Sequence, residues 1–371
     1  MAKLGDIATY INGFAFKPSD WSDEGLPIIR IQDLTGNSYQ ANRYSGEYDK
    51  KYEVLAGDVL ISWSASLGIY VWQSEKAVLN QHIFKVVFDK EPVNKRFFIH
   101  QVESILANAS SAAHGATMKH LTKPVFDALP FYLPDMEKQS EIAAVLDKVS
   151  DLIALRKRQL AKLDELVKAR FVEMFGDLKA NPHKWDFKPL SEFCDVRDGT
   201  HYSPKYVDSV YPLLTSKNFT NGFVDFTEVN YISEDDYNAI NQRSKVDVGD
   251  IVMPMIGTIG HPVIIDTDRP FAIKNVALLK FGNSSISNIL VKEVLDSDYF
   301  RSIVEEKNRG NTQKFIALGD IRRLQIPIVS AEMQSQFAAF VENVEQSKET
   351  VQQGLDKLQT LKKALMQEYF G

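Results

Sequence analysis

The 371-residue chain has little of several things, and each shortage excludes a class of protein. It carries one cysteine, Cys194, which can close no intramolecular disulfide and build no multi-thiolate zinc site; a cytoplasmic, reducing compartment fits. Apolar runs extend for a handful of residues, against the roughly 20 that a membrane-spanning helix needs. The first residues lack the basic segment and apolar stretch of a secretory leader. Positive charge is not in excess either: 43 Lys and Arg face 49 Asp and Glu, a net charge of −6. Such a chain does not coat nucleic acid through bulk charge, so any nucleic-acid site has to be local.

Catalytic signatures are missing as well. There is no Gly-rich phosphate loop ending in Gly-Lys, no dinucleotide-binding glycine triplet, no His-Glu-x-x-His and no nucleophile elbow. The Asn/Asp-Pro-Pro-aromatic signature of DNA methyltransferases is absent, because Asn181-Pro182 runs into His183. The sequence from Pro134 to Glu137 looks like a nuclease fragment but lacks the spaced acidic-x-Lys partner. It stands at a predicted helix start, where acidic residues favour the helix dipole. His114 and His120 have no thiolates or carboxylate triad nearby, so they read as loop residues and no metal site is expected.

What is present is a repeat. A shift of 195 positions lays 136–176 over 331–371 without a gap, with 15 of 41 positions identical, where chance gives about 6%. The matches include Gln139 with Gln334, Ala143 and Ala144 with Ala338 and Ala339, and Phe175-Gly176 with Phe370-Gly371. The same shift carries 114–121 onto 309–316; at 192, 56–68 falls on 248–260, and at 186, Leu4 falls on Leu190. A period this long is a duplicated domain with its helix, not a solenoid.

Within the 41-residue repeat, a 4-3 spacing from Ile142 picks out Leu146, Val149, Ile153, Arg156, Leu160, Leu163, Val167, Arg170 and Met174. From Phe337 it picks out Val341, Val344, Lys348, Val351, Leu355, Leu358, Lys362, Leu365 and Tyr369. Each copy therefore predicts a long helix with a coiled-coil seam, about 57 Å over some 38 residues at 1.5 Å per residue. Helix one leads out of the first domain and helix two out of the second, so the expected pairing is an antiparallel coiled coil with pseudo-two-fold symmetry. The rest consists of short β-rich runs between Gly, Asn, Asp and Pro turns, with helical stretches near 95–109 and 287–307. The expected fold is α+β: two tandem loop-rich domains at 1–135 and 185–330, helices at 136–178 and 331–371, and a linker at 179–184.

Two basic loops stand out. The segment 114–123 has Lys119 and Lys123 with two histidines and no acid; 301–323 has six Lys and Arg against three acids. Gly, Thr, Asn and Gln around them suit phosphate contact and base-edge reading. Asn311 and Gln313 carry amides fitted to adenine; Arg309 and Lys314 are long cations fitted to phosphate.

The stretches from Asn12, Leu26, Ala56, Leu79 and Gly115, with those from Asp198, Val248 and Gly310 in the second copy, resemble the DNA-specificity subunit of type I restriction-modification enzymes. The order and duplication carry the likeness over nearly the whole chain. It implies a non-catalytic subunit whose two domains each read half of a split, asymmetric DNA target. Helices would set the spacing and dock two methylation subunits. S-adenosylmethionine and ATP with magnesium would belong to methylation and restriction partners, and no cofactor to this chain. The alternative is a protein-binding coiled-coil scaffold without DNA readout, which leaves the paired basic loops unexplained. On this resemblance the first copy's DNA-contact candidates are Lys17, Ser64, Gln81, His82, His114, Thr117, Lys119 and His120. The second copy's are His201, Tyr202, Ser203, Lys205, Ser216, Lys217, Asn218, Thr258, His261, Lys274, Asn275, Arg309, Asn311, Thr312, Gln313 and Lys314. Ala143, Ala144, Ala338 and Ala339, small enough for close helix approach, are the partner-binding candidates.

Overall fold

The computed structural model describes residues 1–37, 42–112, 122–220, 222–257, 259–282, 284–309 and 314–371. The chain divides into two compact units, Met1–Lys157 with Gln353–Gly371, and Arg158–Gln352. Among the described residues no helix is long and apolar enough to cross a membrane.

In the first unit an antiparallel sheet has the strand order Thr9–Asn12, Ile83–Val87, Val59–Ser62, Gly68–Val71. A second sheet orders Arg43–Tyr44, Leu26–Ile29, Ala77–Leu79 and Glu53–Val54, with a parallel pair at its centre. All four residues of Val59–Ser62 are buried. The pleat turns successive side chains to opposite faces. Val59 and Ile61 therefore join Phe84, Phe97, Phe98 and Phe126 on the helix side, while Leu60 joins Ile29, Val54 and Leu79 under the second sheet. That is why Val59–Ile61 reads as a continuous apolar run. Each such side chain contributes roughly 1.5–3 kcal/mol on full burial.

The second unit repeats this plan. Its antiparallel sheet orders Asp195–Asp198, Val276–Lys280, Ile251–Pro254 and Val263–Ile264, and a smaller sheet pairs Tyr211–Leu214 in parallel with Ala272–Ile273. Ile251 and Met253 face the helical core, and Val252 faces the other side. The single helical stretch expected at 287–307 is two helices, Asn288–Asp296 and Asp298–Lys307. Ser297 separates them: its backbone is extended, and its hydroxyl donates to Val294 O while accepting from Phe300 N. A serine that caps serves better between helices than inside one. The helix Glu234–Ser244, capped by Ser233, was not predicted.

The repeats form helices Met136–Phe175 and Ala331–Phe370. Between 151 and 169 the seam residues Ile153, Arg156, Leu160, Leu163 and Val167 are at least half-buried, and every other residue is exposed. In the first unit Ile142 and Leu146 share a core with Leu365, Met366 and Phe370. In the second, Phe171 and Phe175 pack on Phe337, with ring centroids 5.8 and 5.3 Å away. The start of each helix thus lies along the end of the other, and the pairing is antiparallel. The two charged seam positions of the second helix are paired off: Lys348 Nζ lies 2.9 Å from both Asp164 and Glu345, and Lys362 Nζ lies 3.0 Å from Glu103.

Caps explain where the helices begin and end. The Asp135 carboxylate accepts from Lys138 N, and Glu137 lies in the first turn, so the acidic residues after Pro134 serve the helix dipole. Helix one stops at Gly176, whose φ of +76° suits glycine; a Cβ there would lie 2.7 Å from Pro182 Cγ. Trp185 Nε1 donates to Phe175 O, so the residue that follows the linker caps the end of helix one.

Candidate nucleic-acid interface

Register places three loops of each unit at one end of its main sheet. In the first unit Ser62 pairs with Ile83 and Asn12 with Phe84, so the chain leaving Asn12, the turn after Ser62 and the approach to Ile83 lie together. In the second unit Pro254 pairs with Val276 and Asp198 with Ala277, gathering 198–205, the turn after Pro254 and 274–275. The local backbone is duplicated as well. Ala65 and Gly257, 192 positions apart, both adopt left-handed φ, +59° and +75°; His82 and Asn275, each one residue before its strand, have φ of +71° and +57°. Gly13 and Gly199 allow the third loop to close, since a Cβ would meet Asn80 O at 2.0 Å and Ile273 O at 2.6 Å.

The side chains differ over this shared backbone. In the first unit Lys17 is exposed, Gln81 and His82 are half-buried, and Ser64 is buried. Trp63 Nε1 donates to Asn12 Oδ1, and the Trp63 ring lies edge-on to His82 with centroids 4.9 Å apart. His114, Thr117, Lys119 and His120 lie outside the described residues.

In the second unit a polar cluster is built on Asp198, a buried carboxylate paired with Arg243 on one oxygen and with His201 Nε2 at 2.8 Å on the other. His201 Nδ1 lies 2.8 Å from Asn275 Oδ1. With an acceptor at each nitrogen the ring favours its doubly protonated form. The bond to Asn275 and then that to Asp198 raise its pKa above the ordinary histidine value. Lys274 Nζ donates to Ser203 Oγ, and Ser216 Oγ lies 3.5 Å from Asn275 O. Tyr202, Lys205, Lys217 and His261 are exposed, and Lys217 Nζ stands 3.8 Å from Glu228.

The basic segment 301–323 supplies less free charge than its sequence suggests. Arg301 pairs with Asp298, Lys307 and Arg323 share Asp320, and Arg322 donates twice to Val196 O. Arg309 and Lys314 are exposed and form no ion pair among the described residues. Lys314 O accepts from Gly257 N at 3.0 Å, which places this segment beside the turn after Pro254. Thr258, Asn311, Thr312 and Gln313 lie outside the described residues.

Three candidates are buried: Ser64 at 5% exposure, Asn218 and Ala143. Asn218 is 3% exposed, and its amide is consumed: Oδ1 accepts from Thr215 N and Oγ1, and Nδ2 donates to Asp225 O and Glu228 O. It builds its loop instead of facing a ligand. Ala143 is 3% exposed and packs with Ile142 and Leu146 in its own unit's core. Ala144 and Ala339 are exposed and Ala338 is half-buried.

The hub itself was missed. In sequence Asp198 is one acid within a resembling stretch, and Arg243 sits 45 residues away on the unpredicted helix. The serine and acidic run at 233–236 is the signal that would have found that helix, though not its partner. Among the described residues no group of three His, Cys, Asp or Glu is placed to hold a metal ion.

Comparison with known proteins fits this duplicated architecture. The family model for the type I restriction modification DNA specificity domain matches 1–165 and 182–360. The type I restriction enzyme EcoBI specificity subunit of Escherichia coli is 24% identical over 372 residues, covering 92% of this chain and 78% of its own. The MjaVIII specificity subunit of Methanocaldococcus jannaschii is 22% identical, covering 99% and 90%. The crystal structure of a type I restriction-modification S subunit from M. genitalium shares the fold at a TM-score of 0.54 and 13% identity, covering all of this chain and 95% of its own. The chain, matched along both of its halves, belongs to the type I restriction modification DNA specificity domain family.

Proposed function

We propose that the chain is the non-catalytic, DNA-reading subunit of a cytoplasmic type I restriction-modification enzyme, each unit contacting one half of a split, asymmetric target. One observation carries the proposal: the same three loops recur at the same end of both main sheets, with different polar side chains over one backbone plan. A scaffold that bound protein alone would have no need of two such loop sets.

Direct contact falls to exposed groups, Lys17 in the first unit and Tyr202, Lys205, Lys217, His261, Arg309 and Lys314 in the second, with His201, Lys274 and Asn275 at their base. The cations neutralise phosphates and position the protein; amides and rings supply sequence preference. Ala144, Ala338 and Ala339 lie on the helix faces that dock two methylation subunits, and restriction subunits complete the enzyme. S-adenosylmethionine and ATP with magnesium act on those partners.

The test is exchange of residues 185–330 for the equivalent domain of another specificity subunit, followed by methylome sequencing. Alteration of one half of the target supports the reading. Alteration of both halves, or of neither, overturns it.

A further inference from the structure

The turns Gly13–Pro18 and Gly199–Pro204 begin and end alike, so each serves as a control for the other. Gly13 N donates to Ile83 O and Gly199 N to Val276 O; Phe14 bridges to Asn80 as Thr200 bridges to Lys274. Two residues further on the copies part. Phe16 is 8% exposed and packs edge-on against Phe14 and tilted against Tyr44. Tyr202, at the corresponding position, is 69% exposed. The second turn is anchored by the buried Pro204 instead, whereas Pro18 is exposed. Moving the anchor by two residues turns the ring outward.

The residues around that ring are tied down. Tyr202 N donates to Thr200 Oγ1, both nitrogens of His201 face acceptors, and Ser203 Oγ accepts from Lys274 Nζ. The Tyr202 hydroxyl has no hydrogen-bond partner among the described residues. An exposed aromatic ring loses hydrophobic stabilisation in the free protein, and a turn ordered beforehand reduces the entropy lost on binding. The combination suits a contact group held ready for a ligand.

We infer that Tyr202 is the group by which this turn touches a DNA base, with His201 and Ser203 as positioning residues that hold the ring. The inference rests on the DNA-reading function proposed above. A phenol ring can cover a thymine methyl or stack on a base, and its hydroxyl can pair with a base edge.

The experiment uses the subunit assembled with its methylation subunits and a target defined by methylome sequencing. Cognate and single-base-variant duplexes compete for binding across a salt series. Tyr202→Ala should remove roughly five- to hundredfold discrimination at one or two adjacent positions of a single half-site, leaving the other half and the salt slope unchanged. Tyr202→Phe assigns the contact: retained discrimination identifies the ring, and lost discrimination the hydroxyl. Ser203→Ala should weaken preference at the same positions, and Ser203→Thr should restore it. Unchanged discrimination in Tyr202→Ala, or equal weakening of every duplex, overturns the inference. A wild-type complex without preference in either half would instead overturn the DNA-reading function itself.

Discussion

Gln139 and Gln334, 195 positions apart, make the same two hydrogen bonds. Gln139 Oε1 accepts from Asn94 N at 2.8 Å and its Nε2 donates to Pro134 O; Gln334 Oε1 accepts from Ser287 N at 2.7 Å and its Nε2 donates to Val329 O. Each glutamine binds the first turn of a long helix to the strand exit before it and to the start of a domain helix. The identity seen in the repeat is thereby given a physical cause.

Removing one such amide should leave a backbone N–H without its partner. Gln139, 1% exposed, gives the clearer case, and Gln139→Ala should cost about 1–3 kcal/mol. Urea denaturation of the assembled subunit measures it. A loss below about 0.5 kcal/mol would mean that water takes over the bonds.

A glycine inside a long helix offers a gain. Gly354 sits within Ala331–Phe370, where an added Cβ would lie 3.7 Å from Arg156 Nε, an ordinary contact. Gly354→Ala should stabilise the chain by about 1 kcal/mol through helix propensity. A lower melting temperature would show that the helix needs a flexible point there.

The helices and their seam were legible because a heptad is a local pattern, repeated over about 40 residues in two copies. The core strands were legible for a similar reason: burial on both faces makes Val59–Ile61 and Ile251–Pro254 uniformly apolar. Long-range pairing was not. Nothing near Asp198 announces Arg243, and nothing near Lys307 or Arg322 announces that Asp320 and Val196 O take them up. Phe16 and Tyr202 make the same point, since equivalent aromatic positions face inward in one turn and outward in the other.

His201 gives a prediction with a definite sign. Its folded pKa is raised above the ordinary ~6.5, so its contribution to stability is complete below about pH 6.5 and disappears as pH rises through the folded value. The stability difference between wild type and His201→Gln should therefore be present at pH 6 and shrink in mildly alkaline buffer. Asn275→Ala should lower the imidazole midpoint followed by NMR. A difference that grew with pH would show that the ring is held neutral.

Arg309 and Lys314 test whether unpaired charge at the second unit's loops meets DNA. The other four cations of the segment are occupied within the fold, so removing either of these two should disturb no internal ion pair among the described residues. If Lys314 neutralises a phosphate, Lys314→Ala removes about one released counterion. The slope of log K against log salt should then fall by roughly one, and all sequences should weaken alike. Arg322→Ala is the contrasting variant: losing two bonds to Val196 O should lower stability with no change in slope beyond that of unfolding. Affinities of the assembled methyltransferase for cognate and variant duplexes at several salt concentrations decide the matter. An unchanged slope in both Arg309→Ala and Lys314→Ala would move the phosphate contacts to Lys205 and Lys217, where the same measurement applies.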